Sequence, residues 1–224
     1  MKKKLLKFVF AVLFLFLPAI SYGQLITIAI TANVTGVSDA DNLLQGNVSV
    51  GSTITGTYTY NTSTIDMDSR ANVGAYFHYG SPYGLSLTVN NLNFKSTPNN
   101  IKFLIALTND GFNPNGDFYI ARSYNNIIVN SNVLVDSIAW QIDDISSTAL
   151  LSPTLPTNAP VLSDWDYSTL YIGGGTGGTP PCYDKTFYVE AIVISAVLVP
   201  EPMSVLLFGF GLLVLRKTKK ITRL

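Results

Sequence analysis

An antiparallel β-sandwich, of jelly-roll or immunoglobulin-like type, is the fold predicted by three observations on the middle of this chain. First, Thr53, Thr55, Thr57 and Thr59 alternate with Ile54, Gly56, Tyr58 and Tyr60. That period of two, with β-branched and aromatic residues, describes a strand with one wet face. Second, Asn, Gly, Pro and Asp clusters recur between such segments and supply turn conformations. Third, no segment of twelve or more residues carries a helical period. Many short strands without a fixed repeat favour a sandwich over a barrel, propeller or solenoid.

The elements follow in order. Residues 25–35 make the first strand and 53–60 the second. Leu85, Leu87 and Val89 alternate with Ser86, Thr88 and Asn90. Residues 101–107, 118–122, 133–142 and 167–172 read as further strands, and 187–199 as the last. Turns are expected at Asn90 and Asn91, at 98–100, across 109–116, and at Asn125 with Asn126. The run from Gly173 to Gly178 is expected to be a flexible hairpin loop, and the Pro-rich stretch 152–160 a long loop within one domain. Trp140, in the alternation 138–142, belongs to the core.

Both ends depart from this pattern. Lys2, Lys3, Lys4 and Lys7 precede an apolar run at 8–17, then Pro18, with Ser21 and Gly23 ahead of Gln24. This predicts a secretory signal peptide over 1–23, the alternative being an uncleaved anchor. At the other end Pro200 and Pro202 stop the last strand. Residues 203–215 are then apolar except Ser204 and, as a helix rising ~1.5 Å per residue, would span roughly 20 Å. A hydrocarbon core is about 30 Å thick, so a short transmembrane helix with snorkelling flanks is expected. Arg216, Lys217, Lys219 and Lys220 would form its cytoplasmic basic stop. A buried amphipathic helix is the alternative. The division is therefore 1–23, an ectodomain over 24–198, and a tail over 199–224.

Val199, Pro200, Glu201 and Pro202, an apolar run and a basic cluster in that order resemble the PEP-CTERM sorting signal of Gram-negative exported proteins. The segment 51–64, GSTITGTYTYNTST, followed by Asp66 to Asp68, is similar to the ectodomains of that family. The resemblance implies Sec export, an inner-membrane intermediate and processing by an exosortase-type enzyme near residues 200–202. It further implies a cell-surface or extracellular location, in association with exopolysaccharide and biofilm.

The zero net charge of the whole chain hides a partition. The tips hold nine basic residues, leaving Arg70, Lys95, Lys102, Arg122 and Lys185 against thirteen carboxylates over 24–199, a net charge of minus eight. Such a domain lacks the basic surface that nucleic-acid binding requires, which leaves neutral polymers, cations or proteins as partners. Cys182 is the sole cysteine, so no intramolecular disulfide forms, and a bystander thiol is the expectation.

Catalytic patterns are sparse. His78 is the sole histidine, which excludes a three-histidine zinc site; packing is its expected role. There is no Gly-x-Ser-x-Gly elbow and no phosphate-loop lysine in the glycine run. Asp110, Asn113, Asn115 and Asp117 offer oxygen ligands reminiscent of a calcium loop without its closing Glu; Asp pairs at 39/41, 66/68, 143/144 and 164/166 are weaker candidates. Trp165, between Asp164 and Asp166, is the candidate for stacking against a sugar ring. No catalytic residue emerges. Three functions stay open: a non-enzymatic surface or matrix protein, a carbohydrate- or calcium-binding module, and a glycan or ester hydrolase relying on paired carboxylates.

Overall fold

The computed structural model describes residues 23–112 and 116–200. Ten antiparallel strands account for most of them: β1 (Leu25–Ser38), β2 (Thr53–Asn61), β3 (Val73–Tyr79), β4 (Gly84–Val89), β5 (Leu92–Ser96), β6 (Lys102–Phe112), β7 (Gly116–Ile128), β8 (Leu134–Asp144), β9 (Tyr167–Thr179) and β10 (Cys182–Leu198). Alternation drives them. In β1, Ile26, Ile28, Ile30, Ala32 and Val34 are buried while the residues between face outward.

The sheet order is β3-β6-β7-β5-β4-β2-β1-β10-β9-β8, with a further pairing of β7 to β8. That last pairing closes an eight-stranded barrel from β7, β5, β4, β2, β1, β10, β9 and β8, and leaves β6 and β3 as an extension. The expected sandwich is thereby corrected. The cause lies in β7, whose first part, 116–124, pairs with β6, while Asn126 to Ile128 pair with β5. Asn125 sits between the two parts with φ of 56°, a left-handed conformation that asparagine tolerates. The residue expected to make a turn instead lets one strand change partners and close the ring. Closure pairs the eight barrel strands around the ring and leaves β3 as the edge of the extension.

The joint is short, because β5 meets β7 only through Phe94, Lys95 and Ser96. A buried polar cluster reinforces it. Ser96 Oγ lies 2.6 Å from Ser123 Oγ, Ser123 Oγ donates to Asn126 Oδ1 at 2.5 Å, and Asn126 Nδ2 donates to the Ser123 carbonyl at 2.9 Å. Every member is satisfied, as burial demands.

Side chains fill the barrel. Tyr58, Tyr60, Phe94, Phe103, Tyr119 and Trp140 are fully buried, and Trp140 meets Tyr58 and Tyr119 edge-on. Tyr58 and Tyr119 share a hydrogen bond of 3.0 Å across the interior. The loop after β8 covers one end: Leu150, Leu155 and Leu162 pack on the core, and Tyr60 and Tyr76 donate to the Pro156 and Pro153 carbonyls. Leu44, in the loop after β1, is buried at the opposite end, where the Asp39 carboxylate accepts from the Leu43 and Leu44 amides.

Two further expectations change. The glycine run belongs to β9, with Gly173, Gly174 and Gly175 paired to both β8 and β10. A Cβ on Gly174 would strike the Leu134 backbone carbonyl, so the glycines serve close strand approach. Among the described residues no helix is long and apolar enough to cross a membrane, the short 3-10 turn Leu162–Asp164 being the helical element there. The expected transmembrane helix over 203–215 lies outside the described residues and finds no support. Glu201, Pro202, Arg216, Lys217, Lys219 and Lys220 lie outside them too.

Candidate functional site

A filled barrel leaves the outer wall and rims for binding. A depression of about 520 Å³ lies where the end of β7, the start of β8 and the β9–β10 hairpin meet. Arg122, Tyr124 and Asn125 of β7, Asp136 and Ser137 of β8, and Tyr183 of β10 line it. Its size falls within the roughly 300–1,000 Å³ range of small-molecule clefts.

Local strand chemistry builds this cleft. The register of β8 against β9 slips between Val135 and Ser137. In an unbroken strand Asp136 and Ser137 would face opposite sides; the bulge leaves both half-exposed on the outer wall. Across β9, Gly173 and Gly175 have no side chains to obstruct them. An added Cβ at Gly175 would come within 2.7 Å of Tyr183 Cβ and Cγ, so the tyrosine rests directly on the glycine. Tyr183 Oη is out of solvent and has no hydrogen-bond partner. Burial, and then the negative charge of Asp136, push its phenol above the usual tyrosine range.

Arg122 is held in two ways. Its Nε donates to Ser137 Oγ at 3.1 Å, and its guanidinium lies 4.8 Å from the Tyr124 ring centroid. Lys102, directly across from Tyr124 in the β6–β7 register, places Nζ 5.0 Å from the same ring and 5.4 Å from Phe77. Such contacts orient cations without neutralising them. Among the described residues the ion pairs are Arg70 with Asp68 and Lys185 with Asp41, so Lys95, Lys102 and Arg122 keep their charge free of carboxylates.

No family model, no curated protein and no solved structure matches this chain. The site must therefore speak through its own geometry.

The residues singled out from the sequence are not brought together there. Trp165 is half-buried and packs against the hydrophobic core from the loop before β9. Asp117 is buried, with Oδ1 accepting from the Asp110 amide at 3.0 Å and Oδ2 from the Leu150 amide at 2.7 Å. Its oxygens serve the backbone. Asn113 and Asn115 lie outside the described residues, among which no group of three or more metal-ligating His, Cys, Asp or Glu side chains occurs. Other aspartates cap turns: Asp66 accepts from the Asp68 and Ala75 amides, and Asp166 from the Ile145 amide. Asp144 is held down at about 2, because hydrogen bonds from Ser146, Thr148 and Ala149 outweigh the opposing effect of desolvation. Arg70 likewise holds the half-buried Asp68 well below the usual carboxylate range.

His78 is buried between β3 and the end of β2. Nδ1 lies 3.1 Å from the Tyr76 carbonyl, and Nε2 2.9 Å from Thr64 Oγ1 and 3.3 Å from the Asn61 carbonyl. Burial lowers its pKa, partly offset by those carbonyls, so the neutral ring is favoured. Cys182 is exposed at the start of β10 rather than in a loop.

Sequence reasoning missed Arg122, Tyr124, Asp136 and Tyr183. One signal was available: glycines inside a strand mark close approach by another group, and Gly173 to Gly175 do so here.

Proposed function

We propose that this is an exported, non-enzymatic cell-surface or matrix protein, sorted by its C-terminal segment and acting through a binding cleft on its outer wall. One observation carries the reading. The expected leader cut before Gln24 falls just ahead of β1, and the expected processing motif begins at Val199, just after β10. These strands are antiparallel neighbours, with Ile28 opposite Leu198, and the Val199 amide donates to the Thr27 carbonyl at 2.8 Å. Both cuts would fall at one end of the barrel and remove none of its strands. A fold interrupted by either cut would speak against the reading.

The cleft lies towards the other end. Tyr183 and Val199 are separated along β10 by roughly 50 Å of strand at ~3.3 Å per residue. A terminus processed near residue 200 would therefore lie at the far end of the barrel from the cleft. His78, the single imidazole, is engaged through both ring nitrogens in packing, which favours binding over acid-base catalysis.

The test is to isolate the protein from its host and map both termini by mass spectrometry in membrane, surface and medium fractions. The expected surface form starts near Gln24 and ends near residues 200–202. Replacing Pro200, Glu201 and Pro202 by alanine should leave the protein in the membrane fraction. A full-length C-terminus in the surface fraction, or unchanged release of the triple variant, overturns the sorting reading.

A further inference from the structure

We infer that the cleft binds an acidic saccharide, with Arg122 taking a uronate carboxylate and Asp136 and Tyr183 taking ring hydroxyls. The inference rests on the surface-protein reading only for the source of the ligand; the chemistry comes from the cleft.

The charge pattern points to an anion. Over 24–199 carboxylates outnumber cations thirteen to five, yet Lys102 and Arg122 lie on neighbouring strands β6 and β7 with no ion pair among the described residues. Tyr79, Lys102, Tyr124 and Ser137 are aligned across β3, β6, β7 and β8. An anionic polymer repelled by most of the domain would be directed to this wall. Arg122, already oriented by Ser137 and Tyr124, offers a planar fork suited to a carboxylate.

The uncharged needs of the cleft narrow the anion to a polyol. Tyr183 Oη has lost water and found no protein partner, a cost removed when the ring turns slightly to meet a ligand hydroxyl at the cleft surface. Asp136, half-exposed at the cleft, accepts hydrogen bonds, which sugar hydroxyls can donate and phosphate oxygens cannot. A polyphosphate would satisfy Arg122 and Lys102 while setting its negative oxygens against Asp136. A uronate carries both the carboxylate and the adjacent hydroxyls. The cleft is also an open depression on the barrel wall, so a chain can lie across it, whereas an enclosed cavity admits only a free monomer.

Titration calorimetry on the protein isolated from its host tests this, with trigalacturonate, cellotriose and inorganic phosphate as probes at low ionic strength. Trigalacturonate is expected to bind at one site, with affinity falling as salt is added, and cellotriose at least tenfold more weakly. Arg122→Ala should weaken trigalacturonate binding on the order of tenfold or more, and Tyr183→Phe about fivefold, since a single unpaired hydroxyl is at stake. Circular dichroism of each variant confirms folding. If Arg122→Ala does not fold, Arg122→Lys keeps the charge and should still lose affinity with the planar fork. Absence of trigalacturonate binding, equal affinity for cellotriose or phosphate, or indifference to both Arg122 and Tyr183 overturns the inference. A protein correctly processed at both ends that ignores uronates sinks this inference alone, leaving the sorting reading in place.

Discussion

The two sides of the barrel wall share one backbone pattern and present opposite chemistry. Across β1, β2, β4 and β5 the aligned outer residues Thr31, Thr55, Thr88 and Asn93 form a row of short polar side chains. Pairs on this side satisfy one another: Thr88 Oγ1 donates to Asn93 Oδ1 at 2.7 Å and, further along β1 and β2, the Thr27 and Thr59 hydroxyls lie 3.0 Å apart. Across β3, β6, β7 and β8 the corresponding row holds Tyr79, Lys102, Tyr124 and Ser137. That side has a bulge, a cleft, unpaired cations and an unsatisfied hydroxyl. A regular ladder makes a closed, self-satisfied surface, whereas departures from regularity leave groups in want of a partner.

The largest expected effect sets glycines on the two sides against each other. Gly175→Val would push a side chain into the Lys185 carbonyl and the Tyr183 ring, and should lower unfolding stability in urea by about 3 kcal/mol or more. Gly36→Ala, in β1, meets nothing nearer than Glu190 Cβ at 3.6 Å, and should be neutral or stabilising by up to about 1 kcal/mol. Equal losses at the two positions would show that the crowding over β9 is not a constraint.

Next comes the joint between the two sides. Asn126→Ala removes the acceptor for Ser123 and the donor to its carbonyl in a buried setting, and should cost about 1–3 kcal/mol in the same experiment. A loss within error would mean that the β5–β7 closure does not depend on that cluster.

A pH scan addresses the flank of the cleft wall. His78 has a folded pKa below its unfolded value of about 6.5. Its contribution to stability is therefore present above that unfolded value and is lost as pH falls towards the folded one. Wild type should lose denaturation midpoint on acidification through this window, and His78→Gln should flatten that part of the profile. A profile unchanged by the substitution would remove His78 as its cause. The smallest effect belongs to the polar side: Thr55→Ala should alter stability by less than about 1 kcal/mol and leave trigalacturonate affinity unchanged. A drop in affinity there would place the ligand on the wrong wall.

The sequence displayed strands wherever alternation was long, as in β1, β2 and β4, because burial on one face writes a period of two. It did not display β3 and β5. In the segment Val73–Tyr79 aromatic residues occupy both faces, and Leu92–Ser96 is only five residues long. Closure was hidden for another reason: which edge a strand joins depends on partners far along the chain, and Asn125 reads locally as a turn. The cleft was hidden because a bulge such as that at Asp136 exists only relative to the neighbouring strand. Trp165 and Asp117 were conspicuous by residue type, yet packing and backbone hydrogen bonds engage them.

The pairing of β10 with β1 on one side and β9 on the other has a mechanical consequence. A pull on Val199 along the strand, resisted elsewhere on the barrel, would load both ladders lengthwise. Their hydrogen bonds then share the force in shear instead of parting one after another like a zipper. A strand held by a neighbour on each side resists such a pull better than an edge strand, which can peel away from its single partner.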